Sequence, residues 1–542
     1  MRLRVIPVVA VLISLFASAC REGTVGERQV FRYNQPEGIS TLDPAFAKNQ
    51  PIIWATHQLF NSLTEVSPDK GIAPSLAKAW TVSPDRLTYT FALRDDVWFH
   101  DHPAFPGGKG RRMVASDVVF SLSRIIDPGT ASPGAWIFNG RVDSVAPFSA
   151  PDDTTFVLRL RSPFPPILGI LSMNYCSVVP KEVVDALGRD FGRRPCGTGP
   201  FRFSAWEEGQ ALVFLRNDRY FERDSAGGRL PYLEAVKVSF VDSKAGEFLE
   251  FRQGRLDFIN DIDANFKDEV LDRRGGLKPE WEGRIRLQKH PYLNTEYLGI
   301  LQDTTSPLLR DSPLRHLKVR QAMSHAIDRR KMMLYLRNSI GIPAENGFIP
   351  YGMPGYDDNR PKGYTYDPEK ARRLLAEAGY PGGKGMEEIK LYTIPIYAEL
   401  GAFVARQLEE VGIPVKVEAV QRGTLLERIA KRQALFFRGS WIADYPDPEN
   451  YLSVFYGSNP SPPNYTRTRM TEFDRLYREA MTVESDSLRL MMYRRMDSLV
   501  IGLSPVIPLW YDMAIHLVDP RVEGFQPNAL NLLELRRTRI RR

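Results

Sequence analysis

Cysteine and histidine are scarce here, with 3 and 7 residues among 542. No HExxH, no helical i, i+4 histidine pair and no CxxC occurs, so the usual zinc sites have nothing to build on. His100-Asp101-His102 is the sole histidine cluster. At a strand end before "PAFPGG" it reads as loop caps, with a metal site as the minor alternative. No GxSxG elbow is present. The Gly-Gly-Lys-Gly tetrads at 107–110 and 382–385 lack the GxxxxGK[ST] spacing that wraps a phosphate, so both read as turns. Covalent, metal-dependent and nucleotide-dependent catalysis therefore have no visible machinery. The net charge of +7 is modest for this length and comes with no nucleic-acid-binding signature, which argues against nucleic acid as partner.

Long apolar runs are also missing, apart from one at the start. "MRLRVIPVVAVLISLFASAC" has Arg2 and Arg4, an apolar stretch Val5–Phe16, and small residues before Cys20. About twelve apolar residues are too few for a membrane span and suit an export signal, residues 1–19. A cysteine directly after small residues resembles the bacterial lipobox. Cys20 is expected to carry the lipid and to begin a tether over 20–30; plain cleavage with an incidental cysteine is the alternative. Outside the cytoplasm Cys176 and Cys196 can oxidise, and a disulfide between them would stabilise by about 3 kcal/mol. That local staple is expected here, against two free buried thiols.

Ordinary globular composition, 43% apolar and 25% charged, fills the rest, and the length calls for about two or three domains. Period-two alternation marks strands at "LTYTFALR", "TTFVLRL" and "VKVEAV"; 3.6-residue stripes mark helices at "SDVVFSLSRIID" and "VRQAMSHAID". "YDPEKARRLLAEAGYP" is the best-marked helix, with Asp367 to cap, Pro368 in the first turn and Gly379 to stop it.

One stretch departs from the basic surroundings: "RGSWIADYPDPENYL", Arg438–Leu452, places Asp444, Asp447 and Glu449 among aromatics. Asp447 and Glu449 lie in the turn signal "YPDP" and read as turn or helix-start residues. Asp444 remains as a candidate to hold a cation.

The part of this stretch from Trp441 onward belongs to an ordered series: "STLDPA", "IAPSLAKAWTVSPDRLTYTFALRDDVWFHD", "ASDVVFSLSRIIDP", "GTGPFRF", "RNDRYF", "GRLD", "VRQAMSHAIDR", "YDPEKARRLLAEAGY" and "WIADYPDPENYL". Together they resemble the extracellular solute-binding proteins of peptide-type ABC importers, family 5, over nearly the whole mature chain. The resemblance implies an α/β fold, the two-lobed periplasmic-binding-protein type (type II, cluster C-like) with an extra α+β subdomain. Lobe I would comprise 31–74, 196–290 and 512–542, the subdomain 75–195 and lobe II 291–511, with crossings near 285–300 and 506–515. It further implies a monomeric, non-enzymatic receptor without cofactor or metal. Held on the extracytoplasmic face by its lipid anchor, the receptor would pass short peptides to an ABC permease. Asp444 would meet the ligand ammonium, with Tyr445 beside it, Trp441 would wall a neighbouring side chain, and Arg438 would meet the ligand carboxylate or else pair with a structural acid. Gln50 and Asn49 are candidates for the opposing wall. The same fold with another solute (oligosaccharide, nickel chelate or haem) and an envelope peptide hydrolase are the alternatives. "FHDHPAFPGGKG" departs from the family as a longer loop, and Ile442 replaces a cysteine that forms a disulfide in one relative.

Overall fold

A computed structural model describes residues 29–67, 71–262, 264–354, 356 and 363–541. The expected export signal, residues 1–19, and the expected lipidation at Cys20 lie outside the described residues.

The strongest local signals fold as their chemistry dictates. Asp367 accepts from the Lys370 N–H at 2.8 Å and starts the helix Pro368–Glu377. Gly379 stops it at φ +92°, a left-handed conformation that costs a residue without Cβ little. The Gly379 and Tyr380 N–H groups turn back onto the Ala376 and Leu375 carbonyls, so the last turn is closed by a Schellman arrangement. In the helix Ala115–Ile126 the residues Val118, Leu122 and Ile125 are fully buried, while Val119 and Ile126 flank them half-buried. The strand Thr88–Leu93 buries Tyr89, Phe91 and Leu93 in alternation. Both Gly-Gly-Lys-Gly segments form tight turns with consecutive glycines at positive φ.

Eleven strands form one mixed sheet, ten of them in a continuous order and the two-residue strand Ile342–Pro343 paired off that path with Val506–Val518. At its centre lie two long strands, Arg286–Ile300 and Val506–Val518, paired antiparallel with register breaks near Pro291–Thr295. To one side follow Phe436–Ile442, Ile389–Thr393 and Val415–Ala419. To the other follow Phe258–Asn260, Val30–Asn34, Ala235–Ser239, Ala211–Arg216 and Phe201–Glu207. The breaks are where the ladder bends between its two halves, as an irregular register locally raises twist. One large apolar cluster runs from Phe31, Tyr33, Trp54 and Val236 across the sheet to Tyr297, Phe437, Tyr451 and Phe455. A second gathers around Leu298, Ile300, Met323, Leu375, Leu391 and Phe436, on the side of the strand Phe436–Ile442. A second sheet, antiparallel, takes Ala77–Val82, Thr88–Leu93, Thr155–Arg159 and Phe148–Asp152, with the helix Ala115–Ile126 packed on it.

The expected disulfide is absent. Cys176 and Cys196 are both free and buried. The helix Lys181–Leu187 and the turn Gly188–Gly192 separate them in the chain, and the Cys196 thiol donates instead to the His100 carbonyl at 3.3 Å. Burial pushes both thiols well above their usual pKa, which keeps them protonated and poorly reactive.

The His100–His102 cluster is built into this part of the molecule as loop support. His100 is buried and bridges the Gly199 carbonyl and the Gly197 N–H, and its pKa falls to about 4 through burial, so it stays neutral. His102 accepts from the Ala104 N–H. Among the described residues no group of His, Cys, Asp and Glu is placed to hold a metal ion.

Candidate functional site

The strand Phe436–Ile442 delivers the acidic aromatic stretch to the bend of the central sheet, and there its three carboxylates part company. Asp447 takes the Glu449 N–H at 2.9 Å and pairs with Arg489 at 2.7 Å; it starts the short helix Glu449–Leu452. Glu449 is fully buried and accepts from the hydroxyls of Tyr445 and Tyr477. Asp444 faces a cavity of about 480 Å³.

Asn450 fixes Asp444 in place. Its side-chain oxygen accepts from the Trp441 indole N–H at 2.9 Å and from the Asp444 N–H at 3.3 Å, and its amide donates to Asp444 Oδ2 at 3.2 Å. No cation pairs with Asp444 among the described residues. Its carboxylate is open to the water of the cavity, yet protein surrounds it closely enough to raise its pKa to about 6, burial being the main cause and Asn450 and Arg141 opposing it. The neighbouring Tyr175 is pushed up to about 12, first by burial and then by the Asp444 charge.

The facing wall comes from far away in the sequence. Asn49 caps the helix Gln50–Leu59 by accepting from the Ile52 N–H, which holds Asn49 and Gln50 at the cavity's edge. Lys48, next to them, is exposed and also lines the cavity. Asn531, from the C-terminal segment, adds an amide held by His516 at 2.9 Å. Trp136, Tyr175 and Tyr292 supply aromatic surface. Trp54 contributes only an edge, being 2% exposed with its indole N–H bonded to the Asn531 carbonyl.

Of the residues singled out in the sequence, the cavity brings together Asp444, Asn49 and Gln50. Trp441, Tyr445 and Arg438 stand outside its lining. Trp441 is half-buried and serves to orient Asn450. Tyr445 is a correction: fully buried and hydrogen-bonded to Glu449, it belongs to the core. Arg438 takes the structural-acid role. Its guanidinium forks onto Glu296, with contacts of 2.9, 2.6 and 2.5 Å, and stacks over Tyr397 at 3.5 Å. Both charges are buried, and burial lifts Glu296 to about 7 against the pull of Arg438. Lys48, Trp136, Tyr175, Tyr292 and Asn531 escaped the sequence reading. Only Lys48 carried a signal, as the cation directly before Asn49.

An ionised carboxylate with a single amide partner, a lysine in the same cavity and aromatic walls between them can bind a small zwitterion. No nucleophile–base pair appears among the lining residues, and none of them is a histidine.

The model of the family described as "Bacterial extracellular solute-binding proteins, family 5 Middle" matches residues 71–463. The chain belongs to that family. Heme-binding protein A of Haemophilus influenzae is 27% identical over 87% of this chain and 85% of its own length. The dipeptide-binding protein of Escherichia coli is 26% identical over 86% of each. Among solved structures, the periplasmic binding protein DppA of Helicobacter pylori in complex with the peptide STSA superposes with a TM-score of 0.74 at 25% identity, covering 95% of this chain and 99% of that one. The fold is thus the two-lobed periplasmic-binding-protein type. No helix among the described residues is long and apolar enough to cross a membrane.

Proposed function

We propose that this family 5 solute-binding protein captures short peptides in the cavity at Asp444 and hands them to an ABC permease, without chemical change to the ligand. The carrying observation is the Asp444 carboxylate itself: fixed by Asn450, raised in pKa by its surroundings and lacking a cation of its own. A ligand ammonium entering the cavity loses hydration, and a carboxylate already in place offsets that cost. Lys48 gives a ligand carboxylate a partner on the other side, and the volume falls within the usual range of small-ligand sites. The peptide named with one solved relative and the dipeptide named with another support the same reading.

Lobe I is taken as 31–74, 196–290 and 512–542, the subdomain as 75–195 and lobe II as 291–511, with the bend at Pro291–Thr295 as hinge. Asp444 and Lys48 then lie on different lobes, so a ligand touching both stabilises the closed form over the open one. Cys20 would tether the protein to the membrane as a monomeric lipoprotein on the extracytoplasmic face.

A haem-binding relative raises a second cargo, but no histidine lines the cavity. An oligosaccharide would ask for facing tryptophans; both tryptophans here come from the Asn49 side and one of them is buried. The test is calorimetry with di-, tri- and tetrapeptides beside their N-acetylated forms. Saturable binding of free peptides, weakened at least tenfold by acetylation, is expected. Equal affinity for both forms would remove the ammonium from the recognition, and peptide cleavage seen by mass spectrometry would replace the receptor by a hydrolase.

A further inference from the structure

A second cavity lies away from Asp444. It measures about 750 Å³ and sits at the far end of lobe II, where the strands 286–300 and 436–442 end at Ile300 and Phe436. The register from Asn294 to Ile300 places it about 20 Å from the hinge, at about 3.3 Å per strand residue. Its walls come from the loop after Leu301, the end of the helix Arg422–Ala430, the segment 457–469 and the end of the helix Asp486–Leu503.

Six arginines line it: Arg310, Arg315, Arg320, Arg432, Arg467 and Arg469. Asp303 is the one acidic residue among the lining, and it is already committed to Arg432 at 2.8 Å and to the Thr305 N–H and hydroxyl. Arg310 pairs with Asp311 at 3.0 Å. Asp474 lies beside the rim and accepts from the Gly457 N–H. Among the described residues no carboxylate pairs with Arg315, Arg320, Arg467 or Arg469.

Arg320 is buried, and its hydrogen bonds run to the carbonyls of Leu314, Arg315 and Leu503. That satisfies its donors without cancelling its charge. Arg467 donates to the Ala430 carbonyl, while its Nε–H is buried without an acceptor. Burial first, and then the charge of Arg432, hold the Arg467 pKa below its usual value against the weaker pull of Asp303. Like charges gathered in a concave, partly desolvated site repel one another, and an unpaired buried donor adds to the cost. An incoming anion relieves both.

The directions of approach select the anion. Guanidinium groups reach the cavity from at least three separate chain segments. A carboxylate presents its acceptors in one plane, whereas a tetrahedral oxyanion offers oxygens to several forks at once. We infer that the arginine-lined cavity at the distal end of lobe II is a second binding site, for a phosphate-class oxyanion bearing two or more negative charges. The ligand is either a free phosphate compound or the headgroup of an anionic phospholipid. The site shares no lining residue with the Asp444 cavity, so it stands apart from the peptide proposal.

The test is calorimetry on the intact protein at pH 8 and low ionic strength, with sodium pyrophosphate as probe and dihexanoyl phosphatidic acid, a phosphomonoester, below its micelle concentration as the lipid arm. Saturable binding of one pyrophosphate per chain is expected, weakened at least tenfold in R467Q/R469Q and less than twofold in R406Q, which removes an exposed arginine elsewhere on the surface. If circular dichroism shows the double variant misfolded, R469Q alone replaces it, with at least a threefold loss expected. Tighter binding of the lipid probe than of pyrophosphate assigns the headgroup; the reverse assigns a free anion. No saturable heat with either probe overturns the inference. So does equal weakening by R406Q and by the cavity variant, because attraction to a diffusely basic surface would then account for the binding.

Discussion

At the scale of single residues, Asp444 concentrates the consequences. Its carboxyl ionises near 6 in the folded chain against 3.8 unfolded, so between those values the native state holds the extra proton. The Asp444 charge therefore contributes instability that grows as pH rises through that window and is fully present above 6. Asp444→Asn is accordingly expected to weaken peptide affinity at least tenfold while leaving the melting temperature at pH 7.5 unchanged or slightly raised, as read by calorimetry and a thermal scan. Affinity of the native protein should fall as pH drops below about 6, because the protonated acid no longer attracts an ammonium. It should level off near about 7 and fall again above about 8, as the ligand's own amino group loses its proton. The Asn variant should show no such fall on the acid side; a fall of equal size there would place the titrating group elsewhere.

At the scale of elements, Arg438 and Asp367 show two ways in which a charged side chain holds the fold. Arg438 and Glu296 form a diagonal pair on neighbouring strands, Arg438 lying opposite Leu298 and Glu296 opposite Ser440, and their side chains are 11% and 2% exposed. Truncating one member of such a pair leaves a buried charge without its partner. Arg438→Met is expected to destabilise the fold by about 3 kcal/mol in a denaturant titration, with a smaller change in peptide affinity than Asp444→Asn causes. A larger loss of affinity than of stability would return Arg438 to the ligand. Asp367→Ala removes one cap from the helix Pro368–Glu377 and should cost about 1 kcal/mol, with no effect on peptide binding. The cap was readable because every partner it needs lies within four residues.

At the scale of the whole molecule, the pairing of distant segments decides both the cavity and the thiols. Lys48, Asp444 and Asn531 meet although they lie far apart in the sequence, because the two long strands carry the chain through the bend and back. Cys176 and Cys196, close in sequence, do not bond. Unfolding without reductant should expose both to alkylation, giving the corresponding mass increase, and a reducing agent should leave the melting temperature unchanged. Protection of both thiols in denaturant would restore the disulfide.

Periodicity, caps and turn residues are local quantities, so strands such as Thr88–Leu93, the Asp367 helix and the Gly-Gly-Lys-Gly turns could be read along the chain, and an ordered series of motifs carried the two-lobed family fold. The choice among three neighbouring carboxylates was partly readable, since "YPDP" marks Asp447 and Glu449 as turn and helix-start residues. The partner of Arg438, the burial of Tyr445, the arrival of Lys48 and the meeting of six arginines at the end of lobe II depend on which strand lies beside which. Those are through-space facts, and burial and charge act through space.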